Sequence, residues 1–343
     1  MTQTVDTMSA AKAYQKIIET AGGDPDRAER ALETRLTRSP SFSQVVEEHL
    51  HRLVSVTPYT VATYRGYVRN HCQGFAGMAV NSISEDDLLD WIRSMQAAGK
   101  SVKTIRNVHG LISAVFDTAV RKHYRQDNPC DSKLLPRETN HSEATTFLTM
   151  PEFRHVLSHV EPEYQPVFTF LVATGLRFGE ALALTESACD LESPVPTVRV
   201  TKAWKFSGTS HDYYLGEPKT RKAVRSVAIP PSIVELLKAQ IEATSNEFIF
   251  APDGYDLPGY DRLAQRWRRA VTLARAEGLK KSPRLHDLRH THASLMIAQG
   301  MNLYELASRL GHESITTTTS TYAHLVPDAH FRAIEYTEKA LGM

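Results

Sequence analysis

Four short strings in the second half of this 343-residue chain hold residue types that could do chemistry. In ATGLRFGEALAL (173–184), Arg177 follows a glycine turn at the start of a helical pattern, where a side chain can project into a cleft rather than into water. Glu180 shares its helical face and could hold it, although an ordinary helix-start ion pair would look the same. In EPKTRKAVRSVAIP (217–230), Lys219 sits on a turn leading into a strand, and a turn lysine by itself usually just faces solvent. In HDLRHTHASLMIAQG (286–300), His286 and Arg289 share one helical face, and His290 completes the H-x-x-x-H spacing of a zinc helix. Asp287 stands where a zinc hydrolase needs glutamate as its base, and the Arg289 guanidinium would repel a cation. In LGHESITTTTSTYAHL (310–325), His312 follows Gly311 and Tyr322 lies ten residues further on, in a threonine-rich run. Alone, that tyrosine reads as a core residue and the threonines as polar surface.

The elements that must position these strings fall into blocks. Residues 1–40 carry six basic and six acidic residues, with helices expected at Ala10–Thr20 and on to Thr37, and no evident role. Residues 41–128 read as a small helical domain of four helices. SFSQVVEEHLHRL is amphipathic; Thr57 and Pro58 form an N-cap and first helical position; Ser84 and Ser101 cap the next two helices, with Gly99 as the stop between them. Residues 129–148, with Pro129 and Pro136, form the linker. Residues 149–343 make a third block, opened by the Thr149–Glu152 capping box. It is mainly helical, with one strand expected at 197–206 and another at 222–230, joined as a hairpin or a three-stranded sheet. The fold class expected is thus α with a small antiparallel sheet.

Composition narrows the function classes. Hydrophobic residues at 41% and charged residues at 23% are globular values that exclude wholesale disorder. No apolar run approaches the ~18 residues of a membrane span, and the N-terminus lacks a secretory signal pattern, so a cytoplasmic protein is expected. Three scattered cysteines, Cys72, Cys130 and Cys189, give neither a disulfide framework nor a metal knuckle. Net charge is only +1, yet Arg262 to Arg289 holds nine basic residues against Glu277 and Asp287, and Arg199 to Arg225 holds seven against Asp212 and Glu217. A neutral protein can still present a basic face to phosphates, although charge alone more often marks a solvated helix face.

Taken in chain order, Arg177, Lys219, His286-x-x-Arg289, Gly-His312 and Tyr322 resemble the catalytic domain of the tyrosine recombinases, the phage integrase family. The resemblance runs from about Thr149 to Leu325, and the helical block before it resembles that family's core-binding domain. It implies that Tyr322 attacks a DNA phosphate and leaves a 3′-phosphotyrosyl link, while Arg177 and Arg289 clamp the non-bridging oxygens. Lys219 would protonate the leaving 5′ oxygen, His286 would move a proton or position the phosphate, and His312 would donate a hydrogen bond. Glu180 would support the site structurally. Lys103, Arg106 and Asn107, with Arg262, Arg266, Arg268, Arg269 and Arg284, would face DNA. The partners implied are double-stranded attachment sites, a DNA-bound homotetramer closing as a clamp, and an excisionase or DNA-bending protein.

The chemistry is consistent with that resemblance. A tyrosine with a pKa of about 10 is roughly one part in a thousand ionised at pH 7, a handicap of about 4 kcal/mol. Fixed cations lower it, and two arginines can fork onto a phosphorane without a metal. No cofactor is expected, since no two-metal carboxylate cluster or Walker motif is evident and the phosphotyrosine conserves the bond energy. A phage or mobile-element integrase is the main expectation. A Xer-type chromosome-dimer resolvase is the alternative, disfavoured by the extra N-terminal residues. A non-catalytic DNA-binding regulator would be expected to have lost Tyr322 or an arginine, and a zinc hydrolase is the outsider.

Overall fold

Helix starts in the first half follow the caps written in the sequence. The computed structural model describes residues 39–137, 146–208, 213–218, 223–251, 259–326, 334 and 337–342. The helices expected before Thr37, the centre of the linker and Lys219 lie outside the described residues. The chain divides into two compact units, 1–140 and 141–343.

In the first unit, α1 (Phe42–His51), α2 (Pro58–His71), α3 (Glu85–Ala97) and α4 (Val102–Arg121) begin at Ser41, Thr57, Ser84 and Ser101, each of whose hydroxyls accepts a backbone N–H of the first turn. These caps satisfy N–H groups that have no partner inside the helix, each worth about 1 kcal/mol. The apolar faces of α1, α3 and α4 enclose a core of Phe42, Val46, Leu88, Ile92, Ile105, Ile112 and Phe116. Phe42 is fully buried against the edge of Phe75, with ring centroids 5.0 Å apart.

The second unit is built around α6 (Gln165–Thr174), whose Val167, Phe168, Phe170, Leu171 and Val172 are all buried. A helix apolar on every side must sit inside a core. Before it, α5 (Met150–Ser158) opens with the expected Thr149–Glu152 box; after it, α7 (Phe178–Leu182) carries Glu180. Trp267, on the long α9 (Tyr260–Ala276) that follows α8 (Pro231–Ala243), packs on Phe168 at 5.1 Å and donates its indole N–H to the Pro283 carbonyl. Three further helices follow: α10 (Asp287–Ala298), α11 (Leu303–Leu310) and α12 (Ile315–Tyr322). The threonine run is thus a helix, with Thr318 fully buried.

The strand region departs from the sequence expectation. The alternating segment 197–206 is two strands, β2 (Thr197–Val200) and β3 (Ala203–Phe206). β2 lies between β1 (Cys189–Asp190) and β5 (Arg225–Ala228), with Val198 opposite Val227. β3 instead pairs with β4 (Tyr213–Gly216) as a separate hairpin. The expected pairing of 197–206 with 222–230 therefore holds only for β2 with β5, while β1 and β4 were not foreseen, and the chain changes sheet at Thr201–Lys202. No helix among the described residues is long and apolar enough to cross a membrane.

Candidate active site

The ends of α6 and α11 and the starts of α7 and α10 supply the site. Gly175 ends α6 in the left-handed region at φ +69°, and a Cβ there would lie 2.5 Å from the His292 ring. Only glycine meets both demands. The Gly175 carbonyl accepts from Arg289 Nη1 at 2.9 Å, and Leu310, just before the left-handed Gly311 that closes α11, accepts from Nη2 at 2.7 Å. Two helix C-termini thus fix one guanidinium. Arg289 is 3% exposed, and burial first, then the Arg177 charge, pushes its pKa down to about 9. It is still a cation at neutral pH, and three of its five N–H donors remain for a ligand.

Arg177 precedes α7 and is joined to Glu180 twice: its backbone N–H donates to Oε2 at 2.9 Å and its Nη1 to Oε1 at 2.8 Å. Glu180 is 4% exposed and also accepts from Arg225 Nη2 at 2.9 Å. Burial favours the protonated acid, but the Arg225 hydrogen bond and charge and the Arg177 charge outweigh it and hold Glu180 ionised. Arg225 was not singled out by the sequence. Its Nε donates to the Arg309 carbonyl, and Arg309 in turn bonds His292 Nε2 at 3.0 Å and the Ala228 carbonyl at 3.0 Å. His292 Nδ1 donates to the Val172 carbonyl, so a neutral imidazole joins α6, α10 and α11. Burial and the Arg309 charge push its pKa down to about 3.

His312 Nδ1 pairs with the Thr318 hydroxyl at 2.7 Å, which gives the threonine run its structural role. Burial first, then Arg289, Arg177 and Arg225, push the His312 pKa down to about 4. His286 is the residue before α10 and is exposed; burial of part of its ring, His290 and Arg289 lower its pKa, an effect that solvent screens. Tyr322 ends α12 at 1% exposure, packed among Ala293, Ile297, Leu306 and Leu310. Burial raises its pKa to about 12 against the lowering pull of Arg289. Its hydroxyl lies 2.6 Å from His290 Nδ1. Sequence spacing pointed His290 toward zinc, whereas the structure turns it toward the tyrosine. Among the described residues, the cluster with metal-ligand spacing is His155, His159 and Glu277, none of them in this site.

Arg177, Glu180, His286, His312 and Tyr322 therefore each interact with the charge of Arg289, and Lys219 lies outside the described residues. The expected DNA-facing residues divide. Lys103, Arg106 and Asn107 are exposed on α4, and Arg268 and Arg269 are exposed on α9. Arg262 is half-buried, and Arg284 is open but bound to Asp287 at 3.4 Å. Arg266 differs from expectation: its guanidinium lies 4.0 Å over the Tyr164 ring and 3.6 Å from Glu161, serving packing within its own unit.

The chain resembles known proteins in sequence and in fold. The profile described as the phage integrase family matches residues 146–328, more than half of the 343 residues, and the phage integrase central domain matches 42–133. The chain is 27% identical over 307 residues to the ICEBs1 integrase of Bacillus subtilis, covering 86% of this chain and 82% of that protein. It is 24% identical over 310 residues to a XerC-like tyrosine recombinase of Caldanaerobacter subterraneus, covering 82% and 78%. Its fold is similar to that of the Tn1549 transposon integrase in complex with a circular intermediate DNA, with TM-score 0.72, 22% identity and 88% and 100% coverage. It is similar also to the lambda integrase tetramer bound to a Holliday junction, with TM-score 0.65, 17% identity and 93% and 88% coverage. The chain belongs to the phage integrase family and is an enzyme of the tyrosine recombinase class.

Proposed function

We propose that this enzyme cuts and rejoins DNA through a 3′-phosphotyrosine on Tyr322 to integrate and excise a mobile element. The observation that carries the reading is a charge imbalance. Three arginines, Arg177, Arg225 and Arg289, act on a region whose buried Glu180 pairs with two of them. Asp287, the other buried carboxylate, is engaged by Arg284. Such excess cation beside a tyrosine hydroxyl suits an anion that arrives from outside, and a DNA phosphate is that anion.

Arg177 and Arg289 hold the non-bridging oxygens, His286 and His312 add hydrogen bonds to the phosphate, and Glu180 fixes the direction of Arg177. Lys219 protonates the departing 5′ oxygen. Lys103, Arg106, Asn107, Arg268 and Arg269 hold the duplex backbone, with smaller shares from Arg262 and Arg284. Four chains act together on paired attachment sites, and an excisionase or DNA-bending protein sets direction. The XerC-like relative supports a second reading, resolution of chromosome dimers.

Tyr322→Phe tests the core of this reading. On a nicked suicide duplex carrying the crossover site, the variant is expected to bind like the parent and to leave no covalent adduct on a denaturing gel. A persistent adduct would move the nucleophile to another tyrosine.

A further inference from the structure

We propose that His290 is the proton acceptor for Tyr322, taking the hydroxyl proton as the tyrosine attacks phosphorus and returning it when the strand is rejoined. The proposal rests on Tyr322 being the nucleophile. Its own ground is geometric. The Tyr322 oxygen and His290 Nδ1 are 2.6 Å apart, at the short end for such a pair, although 32 positions separate them in the chain. Consecutive residues of a helix point about 100° apart. Arg289 therefore reaches back to Gly175 and Leu310 while His290 turns toward the end of α12. The His290 and Tyr322 rings lie 5.6 Å apart, and the His286 ring meets His290 edge-on at 5.1 Å. His286 is thus one ring removed from the attacking oxygen.

The protonation states agree. For Nδ1 to accept from the hydroxyl, the imidazole must be neutral with its proton on Nε2. Burial, Arg289 and Arg284 lower the pKa of His290, while Asp287 pulls it up, so it is neutral at physiological pH. Tyr322, pushed up to about 12, does not ionise in advance. The proton must therefore move while the tyrosine oxygen–phosphorus bond forms, when the phenol oxygen becomes acidic. As that bond forms, the bond from phosphorus to the 5′ oxygen breaks and the 5′ oxygen takes its proton from the general acid. One proton enters His290 and one leaves the acid, so charge is conserved. Rejoining runs the same steps backwards.

The test measures single-turnover adduct formation on a nicked duplex carrying the crossover site, recovered by sequencing DNA captured on the protein. His290→Ala is expected to slow adduct formation by roughly a hundredfold or more, the ordinary worth of general base catalysis, with DNA binding retained. His290→Gln keeps a hydrogen-bond acceptor without a usable base, and should be as slow. Replacing Tyr322 by 3,5-difluorotyrosine, a stronger acid, should restore at least about tenfold of the rate in His290→Ala and do far less in the parent. That rescue cannot come from a misfolded protein. Wild-type rates in either variant, or equal fluorine effects with and without His290, would overturn the proposal while leaving Tyr322 as nucleophile. An adduct in Tyr322→Phe would overturn both readings together.

Discussion

The two units treat buried charge in opposite ways. In the helical unit, Arg125 is nearly enclosed, yet its Nη1 donates to the Val80 and Ile83 carbonyls, its Nη2 meets Asp127, and the guanidinium lies 4.7 Å over Phe116. His49 is likewise satisfied by Thr118 at 2.9 Å. These groups tie chain segments together, with the buried Arg125 Nε alone of that guanidinium's nitrogens left without a hydrogen-bond partner. In the catalytic unit, Arg289 is enclosed between two carbonyls with no carboxylate of its own, and its charge depresses His286 and His312. Folding alone would pair or remove such a cation, because an unmatched buried charge costs several kcal/mol. On the proposed function, the phosphate of bound DNA completes the imbalance.

The sharpest test of this contrast removes the carboxylate on each side. Glu180→Ala leaves Arg225 enclosed without its partner and should cost about 3–5 kcal/mol, read as a lower denaturation midpoint of the catalytic unit. Asp127→Ala, whose side chain is 78% exposed, should cost less than about 1 kcal/mol in the helical unit. Equal losses would mean that the catalytic unit's charges are paired as well as those of the helical unit.

The next effect separates charge from proton transfer. Lys219→Ala should slow cleavage by the order of a hundredfold if it is the general acid. A substrate with a bridging 5′ sulfur departs without a proton, so it should restore most of that rate. Arg177→Ala and Arg289→Ala should gain nothing from sulfur, because they lose stabilisation of the non-bridging oxygens. Sulfur rescue of an arginine variant would reverse the assignment.

How far sequence reaches depends on whether a feature is local. Caps at Thr57, Ser84, Ser101 and Thr149 were legible because each is settled within one helical turn. The motif order from Arg177 to Tyr322 was legible as a family pattern. The change of sheet at Thr201–Lys202 was not, because alternation continues while the partner changes from β5 to β4. β1 is too short, at 2 residues, to show a pattern. Arg225 meets Glu180 across 45 positions, and His290 meets Tyr322 across 32, so spacing could not reveal either pair. His290 carried a signal, its distance from His286, but that signal pointed to a metal.

Acid should weaken the catalytic unit more steeply than the helical one. His292 is fully buried with its pKa pushed down to about 3, so the unfolded chain binds a proton near pH 6.5 that the folded chain refuses. Stability is therefore full above pH 6.5 and falls as pH drops toward 3, with roughly 2 kcal/mol lost at pH 5 from this residue. His312, at about 4, adds in the same direction. In the helical unit, burial lowers His49 and His109 also, but to a smaller extent. Hydrogen exchange between pH 7 and about pH 5 should show the catalytic unit opening first, and parallel losses in both units would contradict the contrast.

The smallest effect belongs to the exposed cations, where the two units should behave alike. Lys103 and Arg106 on α4, and Arg268 and Arg269 on α9, face solvent, so each can meet a phosphate only through a screened interaction. Replacing one by alanine should weaken DNA binding a few-fold and lower the slope of log affinity against log salt by about 0.9 for each phosphate that is no longer neutralised. The cleavage rate of bound DNA should not change, because none of these residues reaches the Glu180–Arg289 cluster. Arg266→Ala is the informative control: its guanidinium is committed to Tyr164 and Glu161, so stability should fall while the salt slope stays constant. A changed salt slope for Arg266→Ala would mean that the guanidinium leaves Tyr164 when DNA binds.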